Sequence, residues 1–161
     1  MKTNGVEEKK KIMIINSKAT IESVYAALVM ANGARMEGIE AEIFCTFFGL
    51  EAITQKRMDH LKVATVGNPG MHIPTMLGGL PGMENMVSHF MKKEMEKLDI
   101  PPVGEFLEMI TAAGGKVFAC KLAMDMFHLK KEDLWEGVED VLTIGQFYER
   151  AWEGKTHIIF V

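Results

Sequence analysis

The chain has 161 residues, of which 48% are hydrophobic and 25% are charged, and its formal net charge is −4. A chain of this length predicts one domain with a full hydrophobic core, and its composition excludes an intrinsically disordered protein. The acidic charge and the lack of a basic stripe with interleaved aromatic residues argue against nucleic-acid binding, and no apolar run is long enough to predict stable membrane insertion.

The first elements predict an alternation of strands and helices. Residues 1–9 are polar and predict a flexible tail, and because they lack the apolar core of a signal peptide they favour a cytoplasmic location. Residues 11–16 are a short apolar run, which is typical of a strand buried on both faces. Residues 20–36 carry apolar side chains at helical spacing, and residues 39–46 predict a second strand, which completes a βαβ unit.

Residues 54–82 are the irregular part of the sequence. They contain the turn signal GNPG at 67–70 and further Gly and Pro residues, although 61–66 alone suggests a strand. A long loop of this kind is typical of a lid, a binding loop or an oligomerisation arm. It lacks both the P-loop ending and a G-x-G-x-x-G after a strand, so a nucleotide-binding loop is disfavoured.

The second half of the chain continues the alternation. In order, it predicts helix 83–98, helix 103–113, strand 116–119, short helix 120–127, strand 138–142, a helix capped by Thr143 that extends to 154, and strand 156–161. We therefore predict a single α/β domain over residues 10–161. Its architecture is a three-layer α/β/α sandwich with a mostly parallel five-stranded sheet.

Cys120 stands where the third predicted strand meets the next helix. The helix dipole and the unpaired N–H groups of a helix amino end favour thiolate over thiol, and ligands of open α/β folds bind at the carboxyl edge of the sheet. Free cysteine is also among the most buried residue types, so an inert packed side chain remains an open alternative.

The second cysteine, Cys45, ends the second predicted strand. In a doubly wound sheet of order 2-1-3, one strand would lie between the two cysteines, at a separation of about 9.6 Å. Disulfides require Cα atoms within about 7 Å, so direct pairing would need loop movement, and a core role for Cys45 is favoured. The five histidines show no zinc-ligand spacing. His72, which follows the GNPG turn of the long loop, is the one histidine that is a candidate for the site, although a surface role is the usual one.

Several segments resemble the DsrE/DsrF-like family of YchN-like fold, in the branch found with sulfurtransferase and rhodanese-type proteins. The resemblance covers residues 10–161. It is carried by the first strand and helix, by TFFGL at 46–50, NPG at 68–70, VFAC at 117–120 and AMD at 123–125.

The resemblance implies that Cys120 carries sulfane sulfur as a persulfide or a thiosulfonate, without a metal or an organic cofactor. It implies sulfur-transfer partners, either rhodanese-type proteins or small sulfur carriers, and assembly into dimers, trimers or hexamers. The apolar stripe of helix 83–98 and the loop before it offer surface for that assembly. The residues implied to bind substrate near the cysteine are Thr46, Phe47, Gly49, Asn68 and Met124.

Two further interpretations stay open at this point. One is a non-catalytic, oligomeric binding or assembly module of the same fold, in which Cys120 is merely packed. The other is a flavin or nucleotide binder that uses the switch point of the sheet.

Overall fold

The computed structural model describes residues 10–161, so the tail predicted for 1–9 lies outside the described residues. Five strands form one sheet in the order β4-β3-β2-β1-β5, and every pairing is parallel. This confirms the predicted five-stranded α/β sheet. The strands are β1 (Lys10–Asn16), β2 (Glu40–Cys45), β3 (Lys116–Cys120), β4 (Asp140–Leu142) and β5 (Lys155–Phe160).

Helices and short 3₁₀ turns connect the strands. Outside residues 54–82, each predicted helix and strand is present, with its ends shifted by at most three residues. No helix in the described part of the chain has the length and apolar character needed to cross a bilayer. The helices are α1 (Ile21–Met36), α2 (Thr75–Gly78), α3 (Met83–Glu96), α4 (Val103–Ala112), α5 (Lys121–Met126) and α6 (Ile144–Ala151), and the 3₁₀ turns are Phe47–Ile53, Met58–His60, Pro69–Met71 and Lys131–Asp133.

The helices cover both faces of the sheet. On one face, the ring of Phe147 in α6 lies 4.9 Å from that of Phe44 in β2, and the Arg150 guanidinium lies 4.6 Å above the ring of Phe118 in β3. On the other face, α1 packs against β1, β2 and α4. Because neighbouring side chains of a strand point to opposite faces, Cys45 faces the layer of α1 and α4, not α6. The predicted three-layer sandwich is therefore confirmed.

The strand order corrects one expectation about the two cysteines. The predicted order 2-1-3 is wrong, because β3 lies beside β2 and not beside β1. The crossovers from β1 to β2 and from β2 to β3 run in the same direction along the sheet, so α1 and α4 lie side by side on one face. As a result, β2 and β3 are direct neighbours, with Cys45 in register with Ala119. No strand separates Cys45 from Cys120.

The strand suggested for residues 61–66 is absent, since only one isolated bridge forms, between Thr20 and Lys62. Two backbone N–H groups of this stretch are bonded to side chains instead. Val63 N–H donates to the hydroxyl of Ser88 at 2.9 Å, and Ala64 N–H donates to a carboxylate oxygen of Glu22 at 3.2 Å. The remainder of residues 54–82 contains two 3₁₀ turns and α2, and its role as a lid or an oligomerisation arm stays a prediction.

Candidate functional site

Cys120 joins a strand to a helix at the carboxyl edge of the sheet. It is the last residue of β3 and the N-cap of α5, with an extended backbone at φ −79° and ψ 118°. Cys120 therefore directly precedes α5, as the sequence pattern predicts, although its side chain accepts no capping hydrogen bond from the helix. Cys120 is only 1% exposed, however, so the accessible thiol that the sequence favours is not present in this conformation.

The lysine that follows Cys120 does not add a free charge to the thiol. Lys121 forms an ion pair with Asp125 one helical turn later, and both side chains are exposed. Lys116, at the other end of β3, lies 3.8 Å from the carboxylate of Glu139. Both lysines belong to solvated pairs, so neither supplies an unpaired charge beside Cys120.

Cys45 occupies the neighbouring strand but faces the opposite way. Cys45 is in register with Ala119, the residue before Cys120, so the side chains of the two cysteines point to opposite faces of the sheet. Both cysteines are buried and free. Burial raises the pKa of the Cys45 thiol to about 12, against a smaller lowering from a hydrogen bond with Asn16. Cys45 is therefore a protonated core side chain at neutral pH.

Three of the predicted site residues follow β2 at this edge. Thr46 N–H donates to the carbonyl oxygen of Asn16 at 2.9 Å, and Gly49 N–H donates to the carbonyl oxygen of Thr46 at 2.9 Å. Between them, Phe47 has a φ of +46°, a conformation that is rare for a bulky residue, and its side chain is half exposed. The turn that they begin, Phe47–Ile53, packs against both β3 and α5, so these residues lie beside the element that carries Cys120.

The other two predicted residues differ in their placement. Met124 is buried within α5, four residues after Cys120, and so belongs to the same edge of the sheet. Asn68 instead holds its own loop, because its amide donates to the carbonyl oxygen of Ala64 and accepts from Gly70 N–H, each at 3.1 Å. His72 is exposed at the end of that loop, with a φ of +52°.

Asn16 is a residue of this edge that the sequence analysis did not single out. It ends β1, is almost completely buried, and donates from its side-chain amide to the carbonyl oxygen of Gly49 at 3.4 Å. Its side-chain oxygen has no hydrogen-bond partner among residues 10–161. The signal for it was a polar residue that ends an apolar strand at the carboxyl edge.

Aromatic side chains connect the turn after β2 to the helix after β3. The rings of Phe48 and Phe127 have centroids 5.4 Å apart. They border a cavity of about 140 Å³ that Phe47, Arg57 and Leu129 also line. Cys120 does not line this cavity, so the thiol is separated from it in the present conformation.

The described residues give no support to a metal or nucleotide site here. Across residues 10–161, no three His, Cys, Asp or Glu side chains are grouped so that they could hold a metal ion. The strand order reverses direction between β1 and β5, and β3 is separated from β1 by β2. The switch point at which open α/β sheets bind nucleotides therefore does not coincide with Cys120.

Comparison with known proteins connects this arrangement to one sequence family. The DsrE/DsrF/DrsH-like family matches residues 8–159 of the chain. The sulfur carrier protein DsrE2 of Allochromatium vinosum is 34% identical over 154 residues, covering 91% of this chain and 95% of that protein. The uncharacterized protein YrkE of Bacillus subtilis is 26% identical over 157 residues, covering 94% and 98% of the two chains.

Two solved structures share the fold at low sequence identity. The crystal structure of the ychN protein from E. coli has a TM-score of 0.56 at 15% identity and covers 95% of this chain and 99% of its own. A protein of unknown function from Methanobacterium thermoautotrophicum has a TM-score of 0.58 at 13% identity, covering 95% and 100%. At this identity, the likeness concerns the fold alone.

Proposed function

The chain belongs to the DsrE/DsrF/DrsH-like family, and from that premise we propose that it is a sulfur carrier whose acceptor is Cys120. The observation that carries the proposal is the position of this cysteine at the end of β3 and at the N-cap of α5. The proposal is supported by the 34% identity to a protein named as a sulfur carrier, which extends over 91% of this chain.

The chemistry asks for a thiolate and a stabilised anionic product. The thiolate, not the thiol, is the nucleophile in this kind of sulfur exchange. The thiolate attacks the outer sulfur of a donor persulfide, a new S–S bond forms, the donor's S–S bond breaks, and the donor leaves as a thiolate. With tetrathionate, attack on a central sulfur places a thiosulfonate on Cys120 and releases thiosulfate. Neither step requires an added oxidant or reductant.

Loading requires a local opening, because Cys120 is buried in the present conformation. We assign this opening to the 3₁₀ turn Phe47–Ile53, which packs on β3 and α5 and is held at its start by hydrogen bonds to Asn16 and Thr46. The start of this turn is its least packed part, because Phe47 and Phe48 are at least half exposed, whereas Leu50 and Ile53 are buried in the core. In this proposal, Thr46, Phe47 and Gly49 border the entrance and Met124 lies beside it, whereas a role for Asn68 stays a prediction.

The partners of the reaction follow from its chemistry. A persulfide must be received from a donor thiol and passed to an acceptor thiol, so we propose other sulfur-transfer proteins as partners. We also propose that the protein acts as a homo-oligomer. The cytoplasmic location and the absence of a cofactor, both predicted from the sequence, stay predictions.

Intact-mass measurement tests the carrier function. The full-length protein is incubated in turn with thiosulfate, with tetrathionate and with a small-molecule persulfide, and its mass is then recorded. We expect wild type and Cys45→Ala to gain sulfur that dithiothreitol removes, and Cys120→Ser to gain none. Unmodified wild type, or equal modification of Cys120→Ser, would contradict the proposal.

A non-catalytic assembly module of the same fold is the second candidate, and the burial of Cys120 is the observation that favours it. Alkylation separates the two functions. A carrier whose turn opens transiently should be alkylated at Cys120 under native conditions, faster than at the core residue Cys45. If both thiols react only after denaturant is added, the assembly module is the better description.

A further inference from the structure

A cleft of about 820 Å³ lies between α1, α3 and α4, and nothing in the sulfur chemistry uses it. It belongs to the helix layer opposite α6, whereas the side chain of Cys120 projects toward α6. Its volume is in the usual range for small-molecule sites, about 300–1,000 Å³. Its walls are mostly apolar and are formed by Ile21, Tyr25, Met58, Leu61, Met95 and Val103.

Negative charge surrounds this apolar interior. Four carboxylates line the cleft, from Asp59, Glu96, Glu105 and Glu108, against the single ammonium of Lys92. Within residues 10–161, none of the four forms an ion pair. The Lys92 ammonium donates to the backbone carbonyl of Asp59 at 2.9 Å, so its hydrogen bond does not neutralise a carboxylate.

Tyr25 brings an aromatic ring to the same cleft. Its hydroxyl donates to the carbonyl oxygen of Pro101 at 2.9 Å, which fixes the side chain against the segment that precedes α4. Burial, and to a lesser degree the nearby charge of Asp59, raise the pKa of Tyr25 to about 12. The tyrosine therefore stays neutral, and an aromatic ring near carboxylates is a combination that recognises quaternary ammonium groups.

We propose that the cleft between α1, α3 and α4 binds a small organic cation with an apolar body, such as an alkyl-substituted quaternary ammonium. The apolar walls of the cleft contact the apolar part of the ligand. The four carboxylates that line the cleft, here called the rim carboxylates, and the ring of Tyr25 attract its positive charge. An anion of the same shape is rejected, because four carboxylates repel it while one ammonium attracts it. This site is independent of Cys120 and of the carrier function.

Isothermal titration of the full-length protein tests the proposal with three probes. Hexyltrimethylammonium carries both required features, hexanesulfonate keeps the hexyl chain but reverses the charge, and tetramethylammonium keeps the charge without the apolar body. We expect the first probe to bind at one site per chain and the other two to bind at least about tenfold more weakly. Failure of hexyltrimethylammonium to bind, or equal binding of hexanesulfonate, would overturn the proposal.

Matched variants place the site on the molecule. Glu105→Gln combined with Glu108→Gln removes two exposed rim charges and should weaken hexyltrimethylammonium at least about fivefold. Glu136→Gln combined with Glu149→Gln removes the same charge from exposed positions outside the cleft and should leave the affinity unchanged. An equal effect of both double variants would show attraction to the overall charge of the protein and would refute the site.

Discussion

At the scale of single residues, the orientation of two cysteines decides which internal chemistry is available. Cys45 and Cys120 lie on neighbouring strands one position out of register, so their side chains point to opposite faces of the sheet. Proximity of the backbones therefore does not bring the sulfur atoms together. A persulfide on Cys120 has no internal thiol to resolve it, and in the proposed function its sulfur leaves to a thiol on another molecule.

The buried thiol of Cys45 also makes stability depend on alkaline pH. Its pKa is raised by burial from 9.0 to about 12, so above pH 9 the unfolded chain releases this proton while the native protein retains it. The contribution to stability is complete below the unfolded pKa and falls as the pH rises toward the folded one. By about pH 10.5 this group should lower the free energy of unfolding by about 2 kcal/mol.

Urea denaturation near pH 8 and near pH 10.5 measures this effect. Cys45→Ala should show the smaller loss on raising the pH, whereas Leu142→Ala truncates a buried side chain that does not titrate and should retain the wild-type loss. The half-buried Tyr25, whose pKa is also raised to about 12, contributes in the same direction to all three proteins and cancels in the comparison. Identical pH dependence of wild type and Cys45→Ala would contradict the prediction.

At the scale of elements, a close approach of backbones fixes the turn that follows β2. A Cβ on Gly49 would lie 2.1 Å from the carbonyl oxygen of Asn16, which is backbone and has little freedom to move away. Gly49→Ala should therefore displace the turn Phe47–Ile53 and lower the free energy of unfolding by about 3 kcal/mol. It should also accelerate native alkylation of Cys120 if this turn covers the thiol.

The control for Gly49 is Gly33 in α1, where a Cβ would meet no atom within 4 Å. Gly33→Ala should stabilise the protein by up to about 1 kcal/mol, because alanine favours a helix interior over glycine. Chemical denaturation and the alkylation rate are measured for both variants. If Gly49→Ala leaves the free energy of unfolding unchanged, the turn does not depend on its close contact with β1.

A buried ion pair attaches α6 to the sheet. Arg150 donates two hydrogen bonds to the carboxylate of Glu42 in β2, at 3.0 and 2.5 Å, and Glu42 is only 5% exposed. Arg150→Leu leaves this carboxylate buried without its partner and should lower the free energy of unfolding by about 3–5 kcal/mol. The exposed pair of Arg57 and Glu51 is the control, since Arg57→Leu should change stability by less than about 1 kcal/mol.

Thermal and urea denaturation compare the two arginine variants. Adding Glu42→Gln to Arg150→Leu should recover part of the loss, because the unpaired charge is then removed. Equal stabilities of the two single variants would indicate that the pair of Arg150 and Glu42 is solvated in solution.

A helix or strand was predictable from the sequence wherever the residues that specify it lie within the element itself. The apolar run that forms β1, the helical spacing of α1 and the capping residue Thr143, which accepts from Gln146 N–H at 3.3 Å, each specify their own structure. The strand order was not predictable, because the direction of a crossover depends on how α4 packs against α1. The sequence left the burial of Cys120 undecided, because β3 packs against a turn, Phe47–Ile53, that is distant in sequence.

At the scale of the whole molecule, large apolar side chains are exposed to solvent in two parts of the chain. One exposed group lies on α2, on α3 and in the loop that connects them. Large exposed apolar surfaces of this kind mark interaction sites. The group consists of Met76, Leu77, Leu80, Met86 and Phe90. A second exposed group lies on and after α6 and on β5, and consists of Tyr148, Trp152, Ile158 and Phe160.

The sequence predicts that α3 and the loop before it form the oligomer interface, and the two exposed groups allow that prediction to be tested against an alternative. Light scattering at micromolar concentration should give wild type a multiple of the 18.0 kDa chain mass. Met86→Glu combined with Phe90→Glu places charge on α3 and should reduce the mass to that of one chain, because an interface core does not tolerate unpaired charges. Trp152→Glu alters the second group and should leave the assembly intact. A wild-type mass of 18.0 kDa would contradict oligomerisation. If only Trp152→Glu dissociates the assembly, the interface lies on the surface of α6 and β5 and not on α3.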